Sequence, residues 1–160
     1  MTPTPDAPVA EIVDGCARVL GVTQERLDLA ALIDAVADPR SGAVASFLGT
    51  VRSPNRGRTV HGIDYEGYEA MIDAELGRIA DELQARFGLL GLAMIHRLGP
   101  HAPGDASIAL VACSPHRDAA FDACREALEA CKARLPVWKH EHDEDGAHWV
   151  EGSVVDDARL

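Results

Sequence analysis

The sequence predicts an α+β fold, and three observations carry that expectation. Apolar residues recur every three or four positions in two long stretches, one through Ile72, Leu76, Ile79, Leu83 and Phe87 and one through Phe121, Cys124, Leu128, Cys131 and Leu135. That is the period of an amphipathic helix with one buried stripe. Shorter apolar runs at 42–52 and 106–114, bounded by turn residues, have the length and composition of buried strands. The two patterns mix without the regular strand–helix–strand alternation of a doubly wound sheet. With 160 residues and 47% hydrophobic content, one domain with ample core is expected.

The elements follow in order. The first ten residues hold three prolines and read as a flexible tail, the start of an N-terminal extension of residues 1–20. The main domain is expected over 21–152, with 153–160 as a tail. A first strand falls within 17–27, and Asp28 then caps a short helix through Val36 that Pro39 stops. The strand at 42–52 ends at Arg52 and runs into the turn-rich "SPNRGR", which carries Arg56 and Arg58. A strand over 59–68 precedes the first long helix, which Gly88 is placed to end. Strands over 90–99 and 106–114 are joined by the turn "PHAPGD".

The second long helix is read as starting at "SPHRDAAF", with Ser114 as N-cap and Pro115 in the first helical position. His116 and Arg117 then fall in the first turn, where free N–H groups and the helix dipole favour an anion. Pro136 ends this helix after Arg134. "VWKHEH" leaves as a strand and "AHWVEG" is its partner across "DEDG".

Composition excludes several function classes. A net charge of -11 and a pI near 4.9 argue against a broad nucleic-acid surface, so an anionic ligand must be met locally. The cations do cluster: Arg52, Arg56 and Arg58; His116 with Arg117; and Lys132, Arg134, Lys139 and His140. No run approaches the roughly 18 apolar residues of a membrane span, and the opening residues lack a signal-peptide pattern, so a cytoplasmic location is expected. Cys16, Cys113, Cys124 and Cys131 form no C-x-x-C pair or zinc spacing and are read as reduced and buried. His140, His142 and His148 lie among acidic residues, but the spacing is weak for a metal and they are read as surface histidines. Nucleotide-cradling loops and zincin and α/β-hydrolase motifs are absent.

The sharpest feature is "CKARLPVWKH", which holds both lysines of the chain, Lys132 and Lys139, on either side of a proline; the other cations apart from histidine are arginines. Lysine loses its proton on burial far more readily than arginine, so a lysine pair points to chemistry, while a helix end that favours lysine explains it without any. Strand alternation puts Val137, Lys139 and Glu141 on one side and Trp138 and His140 on the other. Two ammonium groups in one pocket lower each other's pKa, as an acid/base or amine nucleophile at neutral pH requires.

Several stretches together resemble the large, catalytic subunit of molybdopterin synthase: "GAVASFLGTVR", Asn55-x-Gly57-x-x-Val60, "YEGYEAM", "IHRLG", "SPHRDAAF", "CKARLPVWKHE" and "WVEG", in register over roughly 25–152. The resemblance implies an α/β-hammerhead fold with a small added antiparallel sheet. It implies a homodimer of large subunits flanked by two ubiquitin-like sulfur carriers, each inserting a C-terminal Gly-Gly thiocarboxylate. The implied substrate is cyclic pyranopterin monophosphate (precursor Z), converted to the molybdopterin dithiolene. The implied catalytic residues are Lys132 and Lys139. Substrate binding falls on Thr50, Val51, Arg52, His116, Arg117, Lys132, Lys139, His140 and Glu141, in a pocket partly supplied by the neighbouring large subunit. No metal or nucleotide cofactor is implied. His140 departs from the lysine or arginine expected there, and residues 1–20 lie outside the resemblance. Two other readings are a persulfide sulfurtransferase using Cys131 and a non-catalytic module that docks an acidic peptide tail.

Overall fold

A computed structural model describes residues 8–150. The order of elements is β1 (Glu11–Val13), β2 (Cys16–Thr23), α1 (Leu29–Val36), β3 (Ala43–Thr50), β4 (Val60–Gly67), α2 (Glu69–Phe87), β5 (Gly91–Arg97), β6 (Gly99–His101), β7 (Ala106–Ser114), α3 (Arg117–Arg134), β8 (Val137–Asp143) and β9 (Gly146–Val150). They form the expected α+β architecture with two sheets. The main sheet has strand order β1-β2-β5-β7-β3, with β2 and β5 parallel and the other pairs antiparallel. The smaller antiparallel sheet has order β6-β4-β8-β9.

The main sheet is buried on both faces. Leu32 and Val36 of α1 cover one face with Ala93, Ala109, Val111 and Cys113. On the other face α2 and α3 enclose Leu92, Met94, Leu110 and Ala112, and this core continues under the small sheet through Val60 and Tyr65. Helix α1 begins as expected, with the Ala31 N–H donating to Asp28 Oδ1 at 3.0 Å. Helix α2 ends at Gly88, whose φ of 60° supplies the left-handed cap that a residue with a Cβ resists.

Several expectations shift. Ser114 is not the cap of α3: it pairs with Ala43 as the last residue of β7, its carbonyl accepts the Gly42 N–H, and His116 becomes the N-cap. Sheet pairing thus consumes the residue that local sequence favoured for the cap. Phe121 is 67% exposed, because Ala120, Ala123, Cys124, Ala127 and Cys131 form the buried stripe. Alanine and cysteine allow α3 to approach the sheet closely, which rotates the larger side chains outward. Residues 11–23 form β1 and β2, so the boundary at residue 20 falls inside a strand. Arg18 of β2 is nearly buried, donates to Gln84 and pairs with Asp81 at 2.8 Å, while Gln84 donates to the Val13 carbonyl, fastening this hairpin to α2. Strand β6 lies where a turn was expected. The tail at 153–160 and the start of the N-terminal tail lie outside the described residues. Among the described residues no helix is long and apolar enough to cross a membrane.

Candidate active site

A cleft of about 700 Å³ opens where the end of β3, the end of α3 and the small sheet meet. β3 delivers Thr50 to its rim. Val51 then turns inward and is held on both sides: its N–H donates to the Asp105 carbonyl at 2.9 Å and its carbonyl accepts the Gly104 N–H at 2.7 Å. The Pro103–Gly104 turn thereby becomes the opposite lip.

Arg52 follows and donates to Asn55 Oδ1 at 3.0 Å, and the Asn55 amide donates to Glu141 at 3.5 Å. Asn55 and Arg58 exchange both backbone hydrogen bonds around a turn with positive φ at Arg56 and Gly57. Arg58 reaches away to Asp143 and Asp145 at 3.5 and 3.4 Å. Of the loop's arginines, Arg52 therefore presents its charge to the cleft, while Arg58 anchors the loop to the β8–β9 turn.

Lys132 comes from the last turn of α3 and Lys139 from β8 beyond the break at Pro136, and both line the cleft. Arg134, two residues after Lys132, is committed elsewhere: it pairs with Glu75 and Glu82 of α2, at 2.6 Å each. Lys139 stands opposite Tyr65 in the β4–β8 ladder, with Nζ 5.9 Å from the ring centroid. Tyr65 is itself flanked by the rings of His96 at 5.3 Å and His101 at 4.8 Å. Burial lowers the pKa of His96 to about 4 and also lowers that of His101, so both are neutral at neutral pH. One side of Lys139 thus rests on uncharged rings in place of water. Burial first, and then the charge of Lys132, push the Lys139 pKa below its usual value, partly opposed by Glu141.

Thr50, Val51, Arg52, Lys132, Lys139 and Glu141 are therefore brought together. His116, Arg117 and His140 are not. His116 and Arg117 are exposed at the opposite end of α3, and a rise of about 1.5 Å per residue puts Arg117 about 22 Å from Lys132. His140 points to the other face of β8, where it stacks on Trp149 with ring centroids 4.5 Å apart. Tyr65 and Asn55 line the cleft without having been singled out for it. Alternation along 60–67 marks Tyr65 as facing one side, but only the strand register shows that the side is Lys139's.

Cys131 is 3% exposed, and burial pushes its thiol up to about 12. A sulfur carrier of the persulfide type needs an accessible thiolate, which this position does not supply.

Residues 22–134 match the family described as MoaE protein. The chain belongs to the MoaE family. A relative in Pseudomonas aeruginosa, named molybdopterin synthase catalytic subunit, is 44% identical over 117 residues, covering 73% of this chain and 78% of its own. The crystal structure of molybdopterin synthase from Staphylococcus aureus superposes with a TM-score of 0.78 at 30% identity, covering 81% of this chain and 95% of that one. A complex of subunits 1 and 2 of molybdopterin-converting factor from Helicobacter pylori has a TM-score of 0.69 over 82% of this chain and 90% of that one; at 24% identity, this is a likeness of fold alone.

Proposed function

We infer that this chain is the catalytic subunit of a molybdopterin synthase, a sulfurtransferase that takes sulfur from the C-terminal thiocarboxylate of a small carrier protein and places two sulfurs on cyclic pyranopterin monophosphate. The observation that carries the reading is the convergence of Lys132 and Lys139 beside Arg52 in one cleft, with Lys139 partly desolvated. The names of the family relatives support it.

In each round the thiocarboxylate sulfur forms a bond to a pterin side-chain carbon as that carbon's bond to oxygen breaks. A proton from a lysine ammonium neutralises the departing oxygen. The carrier is then held as a thioester, which water cleaves to release the carrier carboxylate and leave the sulfur on the pterin. Lys132, exposed at the cleft mouth, is assigned to the thiocarboxylate or the reacting carbon. Lys139, with its lowered pKa, is assigned to proton transfer. Arg52 offers a planar donor to the phosphate. His116 and Arg117, with the free N–H groups at the start of α3, are assigned to the cleft of a second copy of the chain, since they cannot reach their own. Val44, Leu48 and Phe121, exposed on edge strand β3 and on α3, supply apolar surface for contact between subunits.

The test mixes purified protein, thiocarboxylated carrier and cyclic pyranopterin monophosphate, and follows dithiolene product. Product from wild type and Cys131→Ser but not from Lys132→Ala is expected. Loss of product in Cys131→Ser with its fold intact would overturn the lysine assignment. Carrier binding without product from wild type would leave the cleft as a docking site only.

A further inference from the structure

We propose that Asp64, His140 and His142 form a binding site for a divalent first-row transition-metal ion on the face of the small sheet opposite the cleft. The strand register creates it. Asp64 of β4 stands directly across from His140 of β8, and His142, two residues on, falls on the same face by alternation. One donor atom from each residue lies within 4.8 Å of the other two, and His142 Nε2 is 2.8 Å from Asp64 Oδ2.

Ions of this class bind imidazole nitrogen and carboxylate oxygen at about 2.0–2.2 Å, so small rotations bring all three donors onto one ion. Two imidazoles and a carboxylate suit zinc, copper, nickel or iron better than magnesium or calcium, which favour oxygen alone. The hydrogen bond between His142 and Asp64 would give way to the two metal–ligand bonds.

Three further features favour the site. The His140 ring is held by stacking on Trp149 and meets the His142 ring edge-on at 4.9 Å, so its orientation is already restricted. Asp64 and His142 also line a depression of about 490 Å³, which leaves room for solvent to complete the coordination. The rival cluster of Glu141, Asp143 and His148 is already engaged: Arg58 and the Asp145 N–H hold Asp143, and Asn55 reaches Glu141. Spacing alone grouped His148 with His140 and His142; the fold separates it and substitutes an aspartate from another strand.

Because Lys139 and Tyr65 face each other on the reverse side of the same two strands, a bound ion would brace the ladder that holds Lys139. Both tryptophans of the chain, Trp138 and Trp149, lie on the metal-facing side, which gives a direct readout.

The experiment uses the untagged full-length chain. Zn²⁺ binding is measured by calorimetry, Cu²⁺ binding by quenching of tryptophan fluorescence, and melting temperature with Zn²⁺ or chelator. One saturable site is expected in wild type and in His148→Ala, with a rise in melting temperature on adding Zn²⁺. Asp64→Asn, His140→Ala and His142→Ala should each weaken binding by at least about tenfold, the scale that loss of an outer-sphere partner alone can reach. Melting curves in chelator identify any variant that fails to fold, and His142→Gln then replaces His142→Ala. Absence of saturable binding in wild type would overturn the proposal. So would binding that His148→Ala abolishes and His140→Ala leaves intact.

Discussion

At the level of single residues, the decisive contrast is between the two lysines. Lys132 is exposed at the cleft mouth, whereas Lys139 lies over Tyr65 with a pKa held below 10.5 by burial and by Lys132. For a lysine with a depressed folded pKa, the unfolded chain binds more protons between the folded and unfolded values, so stability rises with pH through that window. Below it, the charged amine is a net cost to the fold. Lys139→Met is therefore expected to abolish product formation and to raise the melting temperature at pH 7, with a smaller difference at pH 10; thermal denaturation at both pH values checks this. His96 gives the complementary acid response. Its folded pKa of about 4 against an ordinary 6.5 means stability is lost as pH falls from 6.5 through 4. The loss is about 3 kcal/mol, at 1.36 kcal/mol per pKa unit. Denaturant titrations of wild type and His96→Leu at pH 7 and 4 should show a shallower decline in the variant. The lysine pair and Arg52 stood out in the sequence because their residue types and positions are unusual. Tyr65, His96 and His101 did not, because their meaning depends on which rings the register brings together.

Among the elements, α3 and β8 position most of the site. α3 carries His116 and Arg117 at one end and Lys132 at the other, and Pro136 makes the break that returns the chain as β8 toward the same cleft. These long elements were legible because their periods persist over many residues. The three-residue strands β1 and β6 were not, since so short a segment has no period and β6 contains Gly99 and Pro100. The Ser114 cap was misplaced for a different reason: the tertiary pairing with β3 competes with the local capping preference and wins. Close packing of elements also limits what the main sheet tolerates. A Cβ at Gly91 would collide with the Val36 carbonyl at the end of α1, and backbone cannot move aside as a side-chain tip can. Gly91→Ala should cost about 3 kcal/mol in chemical denaturation, the upper end of ordinary overpacking. An unchanged denaturation midpoint would show that α1 is free to shift.

For the whole molecule, the separation along α3 makes a strong demand. The family resemblance implies one pocket for Arg52, His116, Arg117 and the lysines, partly supplied by a neighbouring large subunit, and of these the single chain brings together Arg52 and the lysines. A helix is rigid, so the roughly 22 Å between Arg117 and Lys132 is not closed by side-chain motion. If both ends of α3 serve one reaction, they do so in two clefts, each completed by the other copy. This arrangement is testable without a structure of the complex. Lys132→Ala and Arg117→Ala are each expected to be inactive alone with the carrier. When equal amounts are unfolded together and refolded, half the dimers should be mixed, and each mixed dimer places both defects in one cleft and leaves the other intact. Recovery of about a quarter of wild-type activity is then expected from random pairing in a two-fold dimer. The same arithmetic gives no recovery if Lys132 and Arg117 of a single chain serve the same cleft, because every cleft in a mixed dimer then still lacks one of them. Co-refolding Lys132→Ala with Lys139→Ala supplies the control: both lysines line the cleft of one chain, so that pair should remain inactive whichever way the subunits assemble.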